Sequence, residues 1–160
     1  DSPMGPLPVV TTHLAHRFDE SGLRRRQVIE VLEVVDELRG DPETTPPAIV
    51  AGDLNAVPDS DEIRLLTGRR AGVGGVVMTD VWEVAGTGPG ITWGGGNPYL
   101  ADSAWPERRL DYLLVSWPRP KPVGNPVRAW LAGNGPVDVA GAAVWPSDHA
   151  AVVADLVTPA

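Results

Sequence analysis

Three short segments hold the side chains with the richest chemistry: Gly52-Asp53-Leu54-Asn55, Arg109-Leu110-Asp111-Tyr112 and Ser147-Asp148-His149. Each lies beside a short apolar run, and strand ends are where a rigid backbone presents side chains to solvent. Three carboxylates, an amide and an imidazole meeting there would suit a hard metal ion and a phosphate ester. Thr11-Thr12-His13-Leu14 adds a second imidazole of the same kind.

Asp53 and Asn55 alternate about Leu54, so an extended backbone turns both to one side. The carboxylate can orient or deprotonate a water, and the amide can donate to a phosphate oxygen or help hold a metal. The same spacing also suits a plain Asp/Asn turn after a strand. Asp148 and His149 set a hard oxygen ligand beside an imidazole, and they too would suit an exposed turn. Asp111 stands inside Leu110-Asp-Tyr-Leu-Leu, where a carboxylate is costly without a partner. A histidine fixed in one tautomer by that carboxylate is favoured over an ion pair with Arg109 or Arg128. His13 ends a strand and could contact phosphate or protonate a leaving oxygen, although a lone histidine is more often structural. His16 is assigned to the surface. A zinc site from His13, His16, His149 and an Asp is conceivable. The acid-rich, Asn-containing set suits Mg²⁺ or Mn²⁺ better.

The elements that must position these residues are short. Residues 7–14 are β-branched and apolar and are expected as a strand ending on His13. Leu23 to Leu38 has helical spacing, with Val28, Leu32 and Val35 as the stripe and Ile29, Val31 and Leu38 beside it. Ala48 to Gly52 is a buried strand running into Asp53. Asp59 or Ser60 would cap a short helix through Leu66, with Glu62 in a capping box if Asp59 is the cap. Residues 76–84 form a short helix or strand, and strands are expected at 91–93, 109–116, 127–131 and 150–156. This order predicts an α/β sandwich, with helices packed on one face of a mixed sheet. Two or three helices cannot cover both faces of such a sheet.

Composition narrows the class. The chain has 160 residues, enough for one domain with a real core, and no cysteine, which removes disulfides and thiolate metal sites. Net charge is −8 with a single lysine, Lys121, which argues mildly against a protein held to nucleic acid by phosphate contacts alone. The arginine clusters 24–26, 69–70 and 108–109 are read as solvated faces. No apolar run is long enough to cross a bilayer, and both cytoplasm and secretion are compatible with the sequence. Trp93, Tyr99 and Trp105, in and beside the Gly94–Glu107 loop, could stack on a base or line a lipid groove, with simple packing preferred.

In order, Thr-Thr-His-Leu (11–14), Arg26-Gln27, Gly-Asp-Leu-Asn-Ala-Val-Pro (52–58), Thr92-Trp93, Arg-Arg-Leu-Asp-Tyr (108–112) and Ser-Asp-His (147–149) resemble the endonuclease/exonuclease/phosphatase superfamily. That superfamily has the deoxyribonuclease I-like α/β sandwich fold. The resemblance runs from Thr11 to Leu156 and looks closest to bacterial members. It implies metal-assisted, in-line attack of water on a phosphoester. By the same resemblance, Asp53 would align or deprotonate the water, and Asn55 would bind a phosphate oxygen. His149 would contact phosphate and share in activating the nucleophile, with Asp111 orienting it. Asp148 would be a metal ligand, with Asp53, Asn55 and His149 near the same ion, and His13 would meet the phosphate or leaving group. Mg²⁺ or Mn²⁺ is the implied cofactor.

Family members also carry an earlier strand ending on Asn and a Gln-Glu motif whose Glu is the principal metal ligand, and neither is matched here. Residues 1–160 are therefore expected to be the C-terminal portion of such a domain, a mixed, mostly antiparallel sheet with helices on one face. The expected partners are a phosphoester (nucleic acid, lipid or small molecule), the N-terminal half of the domain, and a second copy that covers an exposed apolar sheet face in an isologous dimer. By itself the chain is expected to be inactive. The alternative function is a non-catalytic module of the same fold that binds a phosphorylated ligand or a protein.

Overall fold

The computed structural model describes residues 4–71, 75–94 and 96–158. In chain order the elements are β1 (Val9–Thr11), α1 (Ser21–Leu38), β2 (Ile49–Asp53), α2 (Asp61–Leu66), β3 (Val77–Asp80), α3 (Val81–Ala85), β4 (Asp111–Trp117), β5 (Pro126–Ala132), β6 (Val137–Val139), β7 (Ala142–Val144) and β8 (Ala151–Leu156), with a 3₁₀ turn at Pro98–Leu100 before β4. One sheet has the order β1-β2-β4-β3. Its β1–β2 pairing is parallel and the other two pairings are antiparallel. β5 pairs with β8, and β6 with β7, as separate two-stranded ribbons. No helix among the described residues is long and apolar enough to cross a membrane.

Side-chain alternation along β4 divides the interior in two. Tyr112 and Leu114 join Val50, Met78 and Leu14 beneath α1 and α2, where the stripe Val28, Leu32 and Val35 is almost fully buried. A buried aliphatic side chain of this kind contributes about 1.5–3 kcal/mol, so this cluster dominates the fold. Val115 and Leu113 face the other way, onto Val81 and Trp82 of α3 and onto Ala129, Leu131, Val152 and Ala154 of the β5–β8 ribbon. The second face is thus partly roofed by α3 and a ribbon. This differs from the expected bare face with helices on one side only.

Several element boundaries also differ from the sequence reading. The 76–84 segment splits at Asp80, whose carboxylate Oδ1 accepts from the backbone N–H of Trp82 and of Glu83 and so ends the strand as a helix cap. Residues 91–93 contribute only isolated bridges at Trp93, to Arg108 and to His149. Ser60 caps α2 by accepting from Ile63 N–H, which leaves Glu62 free of a capping box. The β6–β7 hairpin, with all six strand residues exposed, was unforeseen.

The arginine clusters need correction too. Arg24 and Arg109 are buried rather than solvated, in ion pairs with Glu62 at 3.0 Å and Asp80 at 2.8 Å. An arginine enters a core when a carboxylate and spare carbonyls meet its rigid donor fork.

Candidate active site

The register of β2 against β4 sets Asp53 directly opposite Asp111. Like charges across a strand pair oppose folding, so this placement has a structural cost. Its consequence is visible at Asp53, whose carboxyl is pushed above the usual carboxylate range, first by burial and then by the charge on Asp111. A backbone N–H from Asn55 to Asp53 Oδ1, at 2.8 Å, works the other way.

His149 reaches the pair from the far end of the chain. Trp93 bridges both Arg108 and His149, and Thr92 ties the two segments together. The Thr92 carbonyl accepts from Ala150 N–H, and its buried Oγ1 accepts from the N–H groups of Leu110 and Asp111. These contacts explain the Thr92-Trp93 motif, which fixes the start of β4 against residues 149–150. The result is a bond of 2.7 Å between His149 Nδ1 and Asp111 Oδ2. An ionised carboxylate only accepts, so Nδ1 carries the proton and Nε2 is left for the cleft. That bond, followed by the charges of Asp111, Asp53 and Asp148, raises the His149 pKa against the opposing effect of burial.

Asn55 is buried and sits at φ +48°, a left-handed conformation that asparagine tolerates better than most residues. Its Nδ2 donates to the Leu14 carbonyl at 3.1 Å, leaving Oδ1 as its side chain's remaining polar atom. Gly52 is required for a different reason. Its φ is +146°, and a Cβ there would lie 1.9 Å from the Thr12 carbonyl oxygen. That close approach lets the His13 segment lie along β2, with His13 Nε2 3.3 Å from Asp53 Oδ2.

His13, Asp53, Asn55, Asp148 and His149 all line one cleft of about 670 Å³. Asp111 backs it through His149. One ligand atom from each of Asp53, Asp111 and His149 falls within 4.8 Å of the others. Asp148 is more peripheral, with its carboxylate exposed and 3.4 Å from Ser147 Oγ. His16, assigned to the surface, is exposed and also reaches the cleft. The far wall is apolar. Phe18 and Trp105 lie 4.4 Å apart between ring centroids, and the Arg108 guanidinium sits 4.3 Å over the Phe18 ring. Trp105 and Tyr99 remain 55% and 61% exposed, so simple packing does not account for them.

Sequence reasoning missed Asn97, Tyr112 as an anchor, and Phe18. Buried Asn97 donates from Nδ2 to the Ser147 carbonyl at 2.8 Å and holds the Ser-Asp-His turn in place. Its signal was the Asn97-Pro98 pair, a turn-initiating dipeptide. Tyr112 donates its hydroxyl to the Ala56 carbonyl at 2.7 Å, fastening the segment after Asn55. Phe18 carried no signal in isolation.

The profile of the endonuclease/exonuclease/phosphatase family matches residues 4–149. No curated protein matches the chain. Among solved structures, a Bacteroides thetaiotaomicron mannosyl-6-phosphatase is similar at TM-score 0.66 and 23% identity, over 93% of this chain and 50% of its own. Humanized D. rerio TDP2 is similar at 0.64 and 25%, over 94% and 54%. Truncated Caenorhabditis elegans TDP2 is similar at 0.58 and 24%, over 90% and 51%. The chain thus spans about half the length of these solved chains. Both the ordered motifs and their convergence in one cleft agree with the profile: the chain belongs to the endonuclease/exonuclease/phosphatase family.

Proposed function

We propose that these residues form one wall of the active site of a metal-dependent phosphoester hydrolase, and that residues 1–160 supply the C-terminal portion of its domain. The observation that carries this reading is the meeting of Asp53, Asp111 and His149 within 4.8 Å, with Asp53 and His149 lining a cleft that His13 and Asn55 also line. A structural ion pair needs no second carboxylate, whereas water activation beside a phosphate does.

The donor set fits a hard divalent ion. Two carboxylates and one imidazole converge, and the carboxyl of Asp53 is partly desolvated with a second acid, Asp111, beside it. Asp53 would hold Mg²⁺ or Mn²⁺, with Asp148 at the rim, Asn55 Oδ1 beside it and His149 near the same ion; the principal Glu ligand would come from the N-terminal half of the domain. When bound, such an ion stabilises charge on the phosphate and on the leaving oxygen. On this reading the protein's own side chains divide the steps among them. Asp53 orients the attacking water and takes its proton. His149, fixed by Asp111, points Nε2 at the phosphate, and in its protonated form donates to a phosphoryl oxygen. His13, exposed at the mouth, is placed to protonate the departing oxygen.

The test has two arms. Inorganic phosphate with Mg²⁺, titrated into the chain, should move the side-chain NMR signals of His13 and His149, and Asp53→Asn should weaken that response. A protein carrying the whole family-length domain should hydrolyse a generic phosphodiester, DNA, a sphingolipid or an inositol phosphate in the presence of Mg²⁺. Absence of both responses would overturn the reading. Phosphate binding without turnover of any of these would favour the binding-module alternative.

Self-association belongs to the same proposal. Val9, Trp117 and Val127 remain 58%, 50% and 63% exposed beside the partly roofed sheet face. An isologous dimer through that face would bury them. Light scattering that shows a clean monomer at tens of micromolar, an ordinary range for weak association, would count against it.

A further inference from the structure

The segment that brings His13, His16 and Phe18 to the cleft has little regular structure of its own, because β1 stops at Thr11 and α1 starts only at Ser21. Its backbone is nevertheless fastened at several points. Thr12 N–H donates to the Ala51 carbonyl and Leu14 N–H to the Asp53 carbonyl, while the Leu14 carbonyl accepts from Asn55 Nδ2. The next three fastenings come from α1. Ala15 N–H donates to Gln27 Oε1 at 3.0 Å, and Arg24 Nη1 donates to the carbonyls of Ala15 and Arg17 at 3.1 and 2.6 Å. Arg24 Nε is in turn held by Glu62 Oε1 of α2 at 3.0 Å.

Arg24 and Glu62 are 5% and 1% exposed, and Glu62 Oε2 has no hydrogen-bond partner among the described residues. Burying two charges with one carboxylate oxygen unpaired is a poor source of stability, since apolar residues of the same size usually serve as well or better. What apolar residues cannot supply is one planar fork that bonds a carboxylate and two carbonyls together. We infer that Arg24, with Gln27 and Glu62, forms a buried clamp of positioning residues that holds the 13–18 segment in place, and so sets His13, His16 and the Phe18 side of the aromatic wall at the cleft. None of the three lines the cleft. The functional meaning of the clamp rests on the phosphoesterase reading; its mechanics do not.

Two variants test it in the 160-residue chain. Arg24→Lys keeps the charge beside Glu62 but lacks the fork. The double variant Arg24→Met with Glu62→Leu removes both charges and leaves apolar residues of similar size, so it should fold. In both, the Ala15 carbonyl loses its charge-assisted bond from Arg24, and the loosened segment should exchange its Ala15 amide, still facing Gln27 Oε1, at least about tenfold faster. Exchange at Val28 and Leu32 should stay as it was. The His13 and His16 side-chain NMR signals should move while His149, held by Asp111, keeps its own. A purely structural role would spread the change to Val28, Leu32 and His149, and that result would overturn the inference. So would unchanged exchange at Ala15 together with unchanged His13 and His16 signals. Titration with inorganic phosphate and Mg²⁺ forms the second readout: both variants should need about tenfold more phosphate. If the unsubstituted chain itself shows no phosphate response, the phosphoesterase reading fails, and the exchange data still decide the clamp.

Discussion

Gly52→Ala is the substitution that most directly joins the fold to the site. The new Cβ would meet the Thr12 carbonyl oxygen at 1.9 Å, where real contacts do not fall below 3.0 Å, so the two strands must separate by roughly 1 Å. That movement acts on two backbone bonds, Thr12 N–H to Ala51 and Leu14 N–H to Asp53, now at 3.1 and 3.0 Å. Losing both costs about 1 kcal/mol each. Alanine at φ +146° adds strain of about 1–3 kcal/mol. Together the loss should be roughly 3–5 kcal/mol, a large share of the 5–15 kcal/mol that holds a typical domain. Urea unfolding should show a markedly lower midpoint with an unchanged slope. The same shift carries His13 away from Asp53, so the His13 side-chain signals should change even in the fraction that stays folded. A destabilisation below about 1 kcal/mol with unaltered His13 signals would refute the claim that Gly52 is there for the close approach of Thr12.

Three further outcomes are expected. His149 has its pKa raised on folding by Asp111, so that pair's contribution is complete below the unfolded imidazole value of 6.5 and is lost as pH rises through the higher folded value. Urea midpoints should therefore fall from about pH 6 to about pH 9, and Asp111→Asn should flatten this trend; an equal slope in the variant would contradict it. Asp53 shifts in the same direction, but for a carboxyl that is a penalty, one that sets in as pH rises from the unfolded value of 3.8 through the higher folded one. Tyr112→Phe leaves the Ala56 carbonyl without its buried donor and should cost about 1–3 kcal/mol in the same unfolding assay, whereas a change under about 0.5 kcal/mol would place the hydroxyl among ordinary surface groups. Asn97→Ala removes the bonds to Ser147 and Tyr99 and should cost about 1–3 kcal/mol while speeding amide exchange at His149; unchanged exchange there would show that the turn holds itself.

The parts of this fold that were legible in the sequence are those in which one local rule decides. The Val28, Leu32 and Val35 stripe is buried as its spacing implies. The acid beside the apolar run of β4, which the structure places at the strand's first residue, has the histidine partner that its cost demands. Where two rules competed, the sequence misled. Val76 to Val84 reads as one short helix or strand, yet the Asp80 carboxylate turns it from strand to helix in one residue. The β6–β7 ribbon pairs strands of only three residues through Ala140 and Gly141, both at positive φ. A ribbon that buries none of its strand side chains leaves no periodic signal to read.

The arginines show most clearly why the site was only half legible. Charge is a property of one residue and can be counted, but burial of that charge is a property of a pair. Arg24 and Glu62 are 38 positions apart, and Arg109 and Asp80 are 29 apart, so no window along the chain sees either pair. Asp53 and Asp111 were each recognisable, but the register that sets them face to face is a tertiary fact. That register makes a site of them, because either acid alone would be an ordinary carboxylate at a strand end. Placed opposite each other, they add a like charge to the burial that raises the pKa of Asp53, and they fix the tautomer of His149 through Asp111. The motifs therefore name residues of the cleft, while the energy of the site lies in contacts between motifs. A substitution that preserves every motif residue but shifts the β2–β4 register by one would keep the family signature and abolish the site, since a one-residue slip turns each side chain to the opposite face.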